Sequence, residues 1–313
     1  MSNNYGVGSA NGKIILMGEH AVVYGEPSVA IPFPATKVTT LTTPAETETM
    51  IECEFYRGLL KDMPELLESL KKAIELSLAA TGQPEAKLDF KIFSTIPAER
   101  GMGSSAAVAV ATTRSIFDFY QVKLTQTKLL EIVGEAEKIA HGNPSGLDAI
   151  MTSSSIPYAY VRGEAPLPLE LNLKGVLVVA DTGQTGQTKE AVASVSAKIA
   201  SQTEGENYRA KISALGALAT TSQQALKDDD ALSLGEKMRS AHQLLAELGV
   251  SSPELDRLVT AALDANALGA KLTGGGRGGC MIALAKDYQA AEKIAQALKN
   301  NGAKSTWLYE MSE

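Results

Sequence analysis

Residues 95–111, TIPAERGMGSSAAVAVA, set two glycines and two serines between a short apolar run and an alanine-rich segment. Gly101 and Gly103 let the backbone bend through conformations closed to residues with a Cβ. The segment that follows, AAVAVATTRSIFDFY, reads as a helix, whose first turn presents unpaired N–H groups and a positive dipole end. Such a turn can hold an anion, and Ser104 and Ser105 add hydroxyls for a phosphate or a magnesium ion. The plainer reading, a glycine turn with a serine N-cap, suits the same residues. The stretch is not a Walker loop, which ends in Gly-Lys-Ser/Thr, nor a dinucleotide fingerprint with its downstream acid.

Outward from this turn, the preceding residues read mainly as strands: KIILMG, SVAIPFP, KVTTLTT, TMIECEF and KLDFKIFSTI are apolar or alternating and rich in Val, Ile, Thr and Phe. One helix, MPELLESLKKAIELSLAATG, interrupts them and ends at a glycine. A mixed sheet with helices is expected. Beyond the turn a second helix, TQTKLLEIVGEAEKIAHGN, opens with Thr125 as N-cap. From about residue 170 the pattern changes. The buried-type strand GVLVVAD precedes four helical stretches, then come strand AKLTG, a glycine loop, strand CMIALA, helix QAAEKIAQALKNN and strand STWLYEM. That order is a ferredoxin-like βαββαβ unit with inserted helices, so the chain reads as α+β with domains at 1–170 and 171–313.

Length and composition agree. A chain of 313 residues exceeds what one core usually supports, which predicts two domains around a shared cleft. No apolar run approaches the roughly 18 residues that cross a bilayer, and the N-terminal segment lacks the order of a secretory signal. Cys53 and Cys280 stand too far apart in sequence to suggest a disulfide framework, so a cytoplasmic setting is expected. A formal charge of -7 without a Lys/Arg cluster argues against nucleic acid as a partner, and nothing points to a membrane.

Four more features bear chemistry. In the helix after Thr125, Leu129, Leu130, Ile132, Val133, Ala136, Ile139 and Ala140 share a face, and Glu137 lies at its border. A buried carboxylate there needs a lysine, an arginine or a metal; otherwise Glu137 reaches past the helix edge to water. Asp148 ends the turn HGNPSGLD, where it either caps the next helix or serves as a fixed general base. KLTGGGRGGC puts five glycines around Arg277, either for flexibility or for close approach of the backbone to a phosphate. GKIILMGEHAVVYG offers Lys13, Glu19 and His20 along an apolar segment. His141 and His242 read as packing residues, as do Met17, Met102 and Met281, and no zinc spacing is present.

Together GKIILMGEHAVVYG, PAERGMGSSAA, HGNPSGLD and KLTGGGRGGC resemble the GHMP kinase superfamily in order and spacing, and within it they are similar to the mevalonate kinases. The resemblance implies a two-domain fold, with an N-terminal α/β domain like ribosomal protein domain 2 and a ferredoxin-like C-terminal domain. It implies ATP-dependent phosphorylation of the primary hydroxyl of mevalonate. Gly101, Met102, Gly103, Ser104, Ser105 and Ala106 would hold the ATP phosphates, and Ser105 and Glu137 the Mg2+. Asp148 would take the hydroxyl proton, with Lys13 beside it. Glu19, His20 and Thr188 would line the mevalonate pocket. The segment around Thr188, DTGQTGQTK, has Gln187 and Lys189 where animal relatives often have Asn and Arg. The alternatives are a kinase of the same superfamily acting on phosphomevalonate or homoserine, and a catalytically silent nucleotide sensor. The resemblance leaves room for a homodimer.

Overall fold

The structure, a computed structural model, describes residues 4–141 and 144–311, without the side chain of His141. The chain forms two compact units, each drawn from separate stretches of sequence. The first takes the described residues of Met1–Lys13, Pro32–Ala98 and Gly103–Ser155; the second takes Ile14–Ile31, Glu99–Met102 and the described residues of Ile156–Glu313.

In the first unit, strand β1 (Gly6–Met17) pairs with β2 (Ser28–Pro44), and both strands continue into the second unit. The β2 stretch Val38–Pro44 runs antiparallel to β5 (Leu88–Ser94), which lies parallel to β3 (Met50–Cys53); β3 in turn runs antiparallel to β4 (Tyr56–Leu59). The expected mixed sheet is therefore present. Helices α1 (Glu68–Ala80), α2 (Ser104–Phe119) and α3 (Gln126–His141) pack on one another, and short α4 (Leu147–Thr152) joins α2 and α3. Thr125 caps α3 as expected, its Oγ1 accepting from the Lys128 N–H at 3.2 Å.

Helix α2 is buried nearly all round, so its hydroxyls need internal partners. Thr112 meets Thr40, Ser115 meets Thr42, and Thr113 accepts from Ser77. The start of β1 was not expected as strand. A Cβ at Gly6 would lie 2.2 Å from the Ser115 carbonyl oxygen and one at Gly8 2.0 Å from that of Ala111, so only glycine lets α2 approach the strand backbone.

In the second unit, Ser28–Ala30 of β2 pairs with β6 (Tyr158–Tyr160), which pairs with β7 (Leu167–Pro168). Strand β8 (Val176–Asp181) leads into α5 (Thr188–Ile199), α6 (Gly205–Lys227), α7 (Ala231–Glu247) and α8 (Pro253–Asp264), the four expected helices. Then follow β9 (Gly269–Thr273), β10 (Cys280–Ala285), α9 (Tyr288–Asn300) and β11 (Ser305–Glu310). The sheet order β11-β8-β10-β9, antiparallel throughout, is that of a ferredoxin-like βαββαβ unit with α6 to α8 inserted. Strands β8, β9 and β10 are wholly buried, as the apolar runs of β8 and β10 required. Among the described residues, no helix is long and apolar enough to cross a membrane.

Candidate active site

In the first unit, four of the residues singled out above converge. Gly103, at φ 74°, precedes the first residue of α2, and no side chain caps that helix. The Ser105 hydroxyl is committed elsewhere: it donates to Glu137 Oε1 at 2.5 Å. Glu137 is buried, at 3% exposure, whereas Ile139 is 48% exposed. The buried face of α3 thus runs through Leu129, Ile132, Val133, Ala136 and Glu137, continuing the three-and-four spacing at the expense of Ile139, which turns outward. Burial pushes the Glu137 carboxyl up to about 7; the Ser105 hydroxyl opposes the shift, the Asp148 charge adds to it, and Lys13 counters it.

Asp148 sits in the first turn of α4 after Gly146, at φ 83°, and the Leu147 N–H at the start of α4 donates to the Ser145 hydroxyl at 3.3 Å. Its carboxylate pairs with Lys13 Nζ at 3.2 Å, with the lysine side chain 3% exposed and the aspartate 36%. A Cβ on Gly103 would come within 3.0 Å of the Lys13 Cγ and of the Thr152 Cγ2, so the bare turn lets the lysine stem pass. Buried ammonium, half-open carboxylate, hydroxyl and second carboxylate thus gather beside a helix start. His141 (its side chain), Gly142 and Asn143 of the same turn lie outside the described residues.

In the second unit, Glu19 and His20 follow Gly18 in a tight turn, with His20 itself at φ 61°. Glu19 is fully buried and ion-paired with Lys271 of β9, also fully buried. Burial draws the Lys271 ammonium below its ordinary value, and the Glu19 carboxylate pulls the other way. The Lys271 ammonium also donates to the Leu272 carbonyl at 2.8 Å. His20 Nε2 lies 2.9 Å from the Gly275 carbonyl oxygen, which can only accept, so Nε2 carries the hydrogen. His20 Nδ1 is then an acceptor, buried and without a hydrogen-bond partner among the described residues. Burial holds His20 below the usual histidine range, with Arg277 adding to the effect and the Gly275 carbonyl opposing it.

Gly101, Met102, the glycine loop and Thr188 belong to this unit too. Thr188 is the exposed first residue of α5, and a Cβ on Gly275 would lie 2.2 Å from its Oγ1. Gly101 and Gly274, both in the left-handed region, are so close that a Cβ on Gly274 would reach the Gly101 Cα at 3.0 Å. The five glycines are therefore packed positions rather than loose ones.

Met17, Met102 and Met281 are buried, as packing residues should be, and Cys53 and Cys280 are free. His242 does more than pack: its Nδ1 accepts from the Leu272 N–H at 3.4 Å and its Nε2 meets Asp256 at 3.2 Å. Lys271 was missed in sequence. A lysine inside a strand read as buried does call for an acid, but 252 positions separate it from Glu19.

Comparison with known proteins bears on the whole chain. Residues 68–155 match the family described as GHMP kinases N terminal domain, and residues 222–304 match GHMP kinases C terminal. The chain is 33% identical to the mevalonate kinase of Pyrococcus horikoshii, the match covering 95% of this chain and 93% of that one. Among solved structures, mevalonate kinase from methicillin-resistant Staphylococcus aureus MRSA252 is 32% identical, with a TM-score of 0.77, covering 99% of this chain and 100% of the other. The L. major mevalonate kinase in complex with R-mevalonate is 26% identical, with a TM-score of 0.84, covering 100% of this chain and 99% of that one. With both family segments matched and the identity extending over nearly the full length, this chain belongs to the GHMP kinases, for which ATP is the co-substrate.

Proposed function

We propose that this kinase transfers the γ-phosphoryl group of ATP to the primary hydroxyl of mevalonate, giving 5-phosphomevalonate and ADP. The relatives named above support the acceptor. One observation carries the chemistry: the buried Lys13 ammonium stands 3.2 Å from the half-open Asp148 carboxylate. A base must be fixed in place and still reachable, and this pair meets both conditions.

Asp148 accepts the proton of the attacking hydroxyl, and Lys13 steadies the negative charge that develops on that oxygen. Gly101, Met102, Gly103, Ser104, Ser105 and Ala106 supply backbone N–H groups and hydroxyls to the ATP phosphates. Phosphoryl transfer asks mainly for positioning and neutralisation of charge, which is what such a set provides.

Ser105 and Glu137 are the residues that would hold Mg2+. Both present hard oxygen atoms, and Glu137 is a carboxylate whose burial opposes its charge until a cation arrives. Among the described residues no three His, Cys, Asp or Glu gather into a metal centre. That suits magnesium, which takes one or two carboxylates and otherwise phosphate oxygens and water. When bound, the ion neutralises charge on the phosphates.

Glu19, His20 and Thr188 bind mevalonate. His20 presents the acceptor Nδ1, which suits a substrate hydroxyl and not its carboxylate. Thr188 offers a hydroxyl beside the unpaired N–H groups of the first turn of α5. By role, residues 1–170 supply base, metal and phosphate turn, and 171–313 supply the glycine loop and part of the substrate site. Two free cysteines suit the cytoplasm.

An ADP-release assay with mevalonate, phosphomevalonate and homoserine in parallel tests this reading. Mevalonate is expected to lead in kcat/KM by on the order of a hundredfold. A lead for either other acceptor would reassign the substrate, and ATP binding without turnover on any of the three would make the protein a silent sensor.

A further inference from the structure

Arg100 stands immediately before Gly101, in a segment that grips its own unit firmly. Its Nε donates to Asp181 Oδ1 at 3.0 Å, its Nη1 to Thr185 Oγ1 at 3.3 Å and its Nη2 to the Gly183 carbonyl at 3.2 Å. Asp181 ends β8 with its side chain 4% exposed, and it also accepts from the Gly183 N–H at 2.8 Å. The guanidinium is therefore held by three groups of one short loop, itself rooted in an inner strand of the sheet. The backbone adds a further tie: the Gly186 N–H donates to the Glu99 carbonyl at 2.8 Å.

These ties hold an unfavourable course. Glu99 is at φ 55° and Gly101 at φ 77°, and a glutamate in the left-handed region reverts unless its surroundings hold it. The carbonyl of Arg100 is packed so closely that a Cβ on Gly279 would lie 3.0 Å from it. Lysine could pair with Asp181 but has no planar fork to reach Thr185 and Gly183 at the same time.

We infer that Arg100 is a positioning residue for nucleotide binding: clamped on Asp181, Thr185 and Gly183, it holds its two neighbours, Glu99 and Gly101, in the left-handed conformations that the ATP-phosphate turn requires. The inference rests on the assignment of residues 101–106 to the ATP phosphates. Arg100 itself acts through the backbone.

The test uses Arg100→Met, Arg100→Lys and the pair Arg100→Met with Asp181→Asn, measuring thermal midpoint and KM for ATP and for mevalonate. Arg100→Met leaves a buried carboxylate without its partner, so its midpoint falls, and Asp181→Asn in the same chain restores it. KM for ATP is expected to rise about tenfold in both, with KM for mevalonate within about twofold, and Arg100→Lys to recover only part of the loss. A double variant that regained both its midpoint and its ATP KM would make Arg100 merely stabilising and overturn the inference. Gly101→Ala separates the two assignments. If it leaves the ATP KM unchanged, the phosphate-turn reading fails; if it raises the ATP KM while the Arg100 variants do not, only the Arg100 inference fails.

Discussion

The Lys13, Asp148, Ser105 and Glu137 cluster of the first unit and the Glu19, Lys271 and His20 cluster of the second are built from similar side chains and kept in different electrical states. In the second, ammonium and carboxylate meet at zero exposure, and the histidine ring is pinned by a backbone carbonyl. In the first, the aspartate stays about a third exposed, and Glu137, pushed up to about 7, sits at the edge of ionisation. A balanced buried pair fixes geometry and has little left to exchange. A cluster whose charges are incompletely settled can take up a proton or a cation. On the proposed function, the first cluster carries the chemistry and the second the placement.

The sharpest way to break the contrast is Asp148→Asn. The amide keeps the size of the carboxylate but cannot take the hydroxyl proton, so kcat is expected to fall about a thousandfold with KM for ATP within about threefold. Steady-state kinetics on the folded variant decides it. Equal losses in turnover and in ATP binding would move Asp148 from chemistry to placement, and the two clusters would no longer differ in kind.

Lys271→Met is the corresponding cut in the second cluster. Removing the ammonium strands a buried carboxylate, which costs about 3–5 kcal/mol of stability. Lys271→Met combined with Glu19→Gln removes both charges and is expected to recover most of that loss in a denaturant titration. If the double variant recovers stability and keeps wild-type KM for mevalonate, the pair contributes to folding alone; a KM that stays raised supports a role for Glu19 in the substrate site, by contact or by placement of the His20 turn.

What could be read from sequence follows the range of the forces involved. Helical spacing is local, so α3 and the anomaly of Glu137 on its apolar face were visible, although the exposure of Ile139 was not. The apolar runs of β8 and β10 predicted buried strands, and the order of elements predicted the ferredoxin-like sheet. The start of β1 was hidden because Gly6 and Gly8 carry no strand signal; their purpose is the approach of α2, a contact some 105 residues along the chain. Pairings such as Lys13 with Asp148 follow from tertiary geometry, and without a family resemblance neither residue names the other. Contiguous reading also has no means of placing Glu99–Met102 in one unit and Gly103 in the other.

Glu137 gives the contrast its pH signature. Its carboxyl is ordinarily near 4.5 and is pushed up to about 7 in the fold, mainly by burial. Between those values the folded protein holds a proton that the unfolded chain has released. Stability against unfolding therefore falls as pH rises from 4.5 to about 7 and levels off above, a span of about 3 kcal/mol from this one group. Glu137→Gln keeps an acceptor for the Ser105 hydroxyl and has nothing to titrate, so the slope of wild type minus variant isolates the carboxyl. If Glu137 holds magnesium as proposed, magnesium with nucleotide acts in the opposite sense: the cation requires the ionised form, so its binding releases the proton, and affinity is expected to weaken about tenfold per pH unit below 7. Denaturation curves from pH 5 to 8, with and without magnesium nucleotide, measure both effects. If the two proteins share one slope, Glu137 is as settled as the Glu19–Lys271 pair, and the metal must find its carboxylate elsewhere.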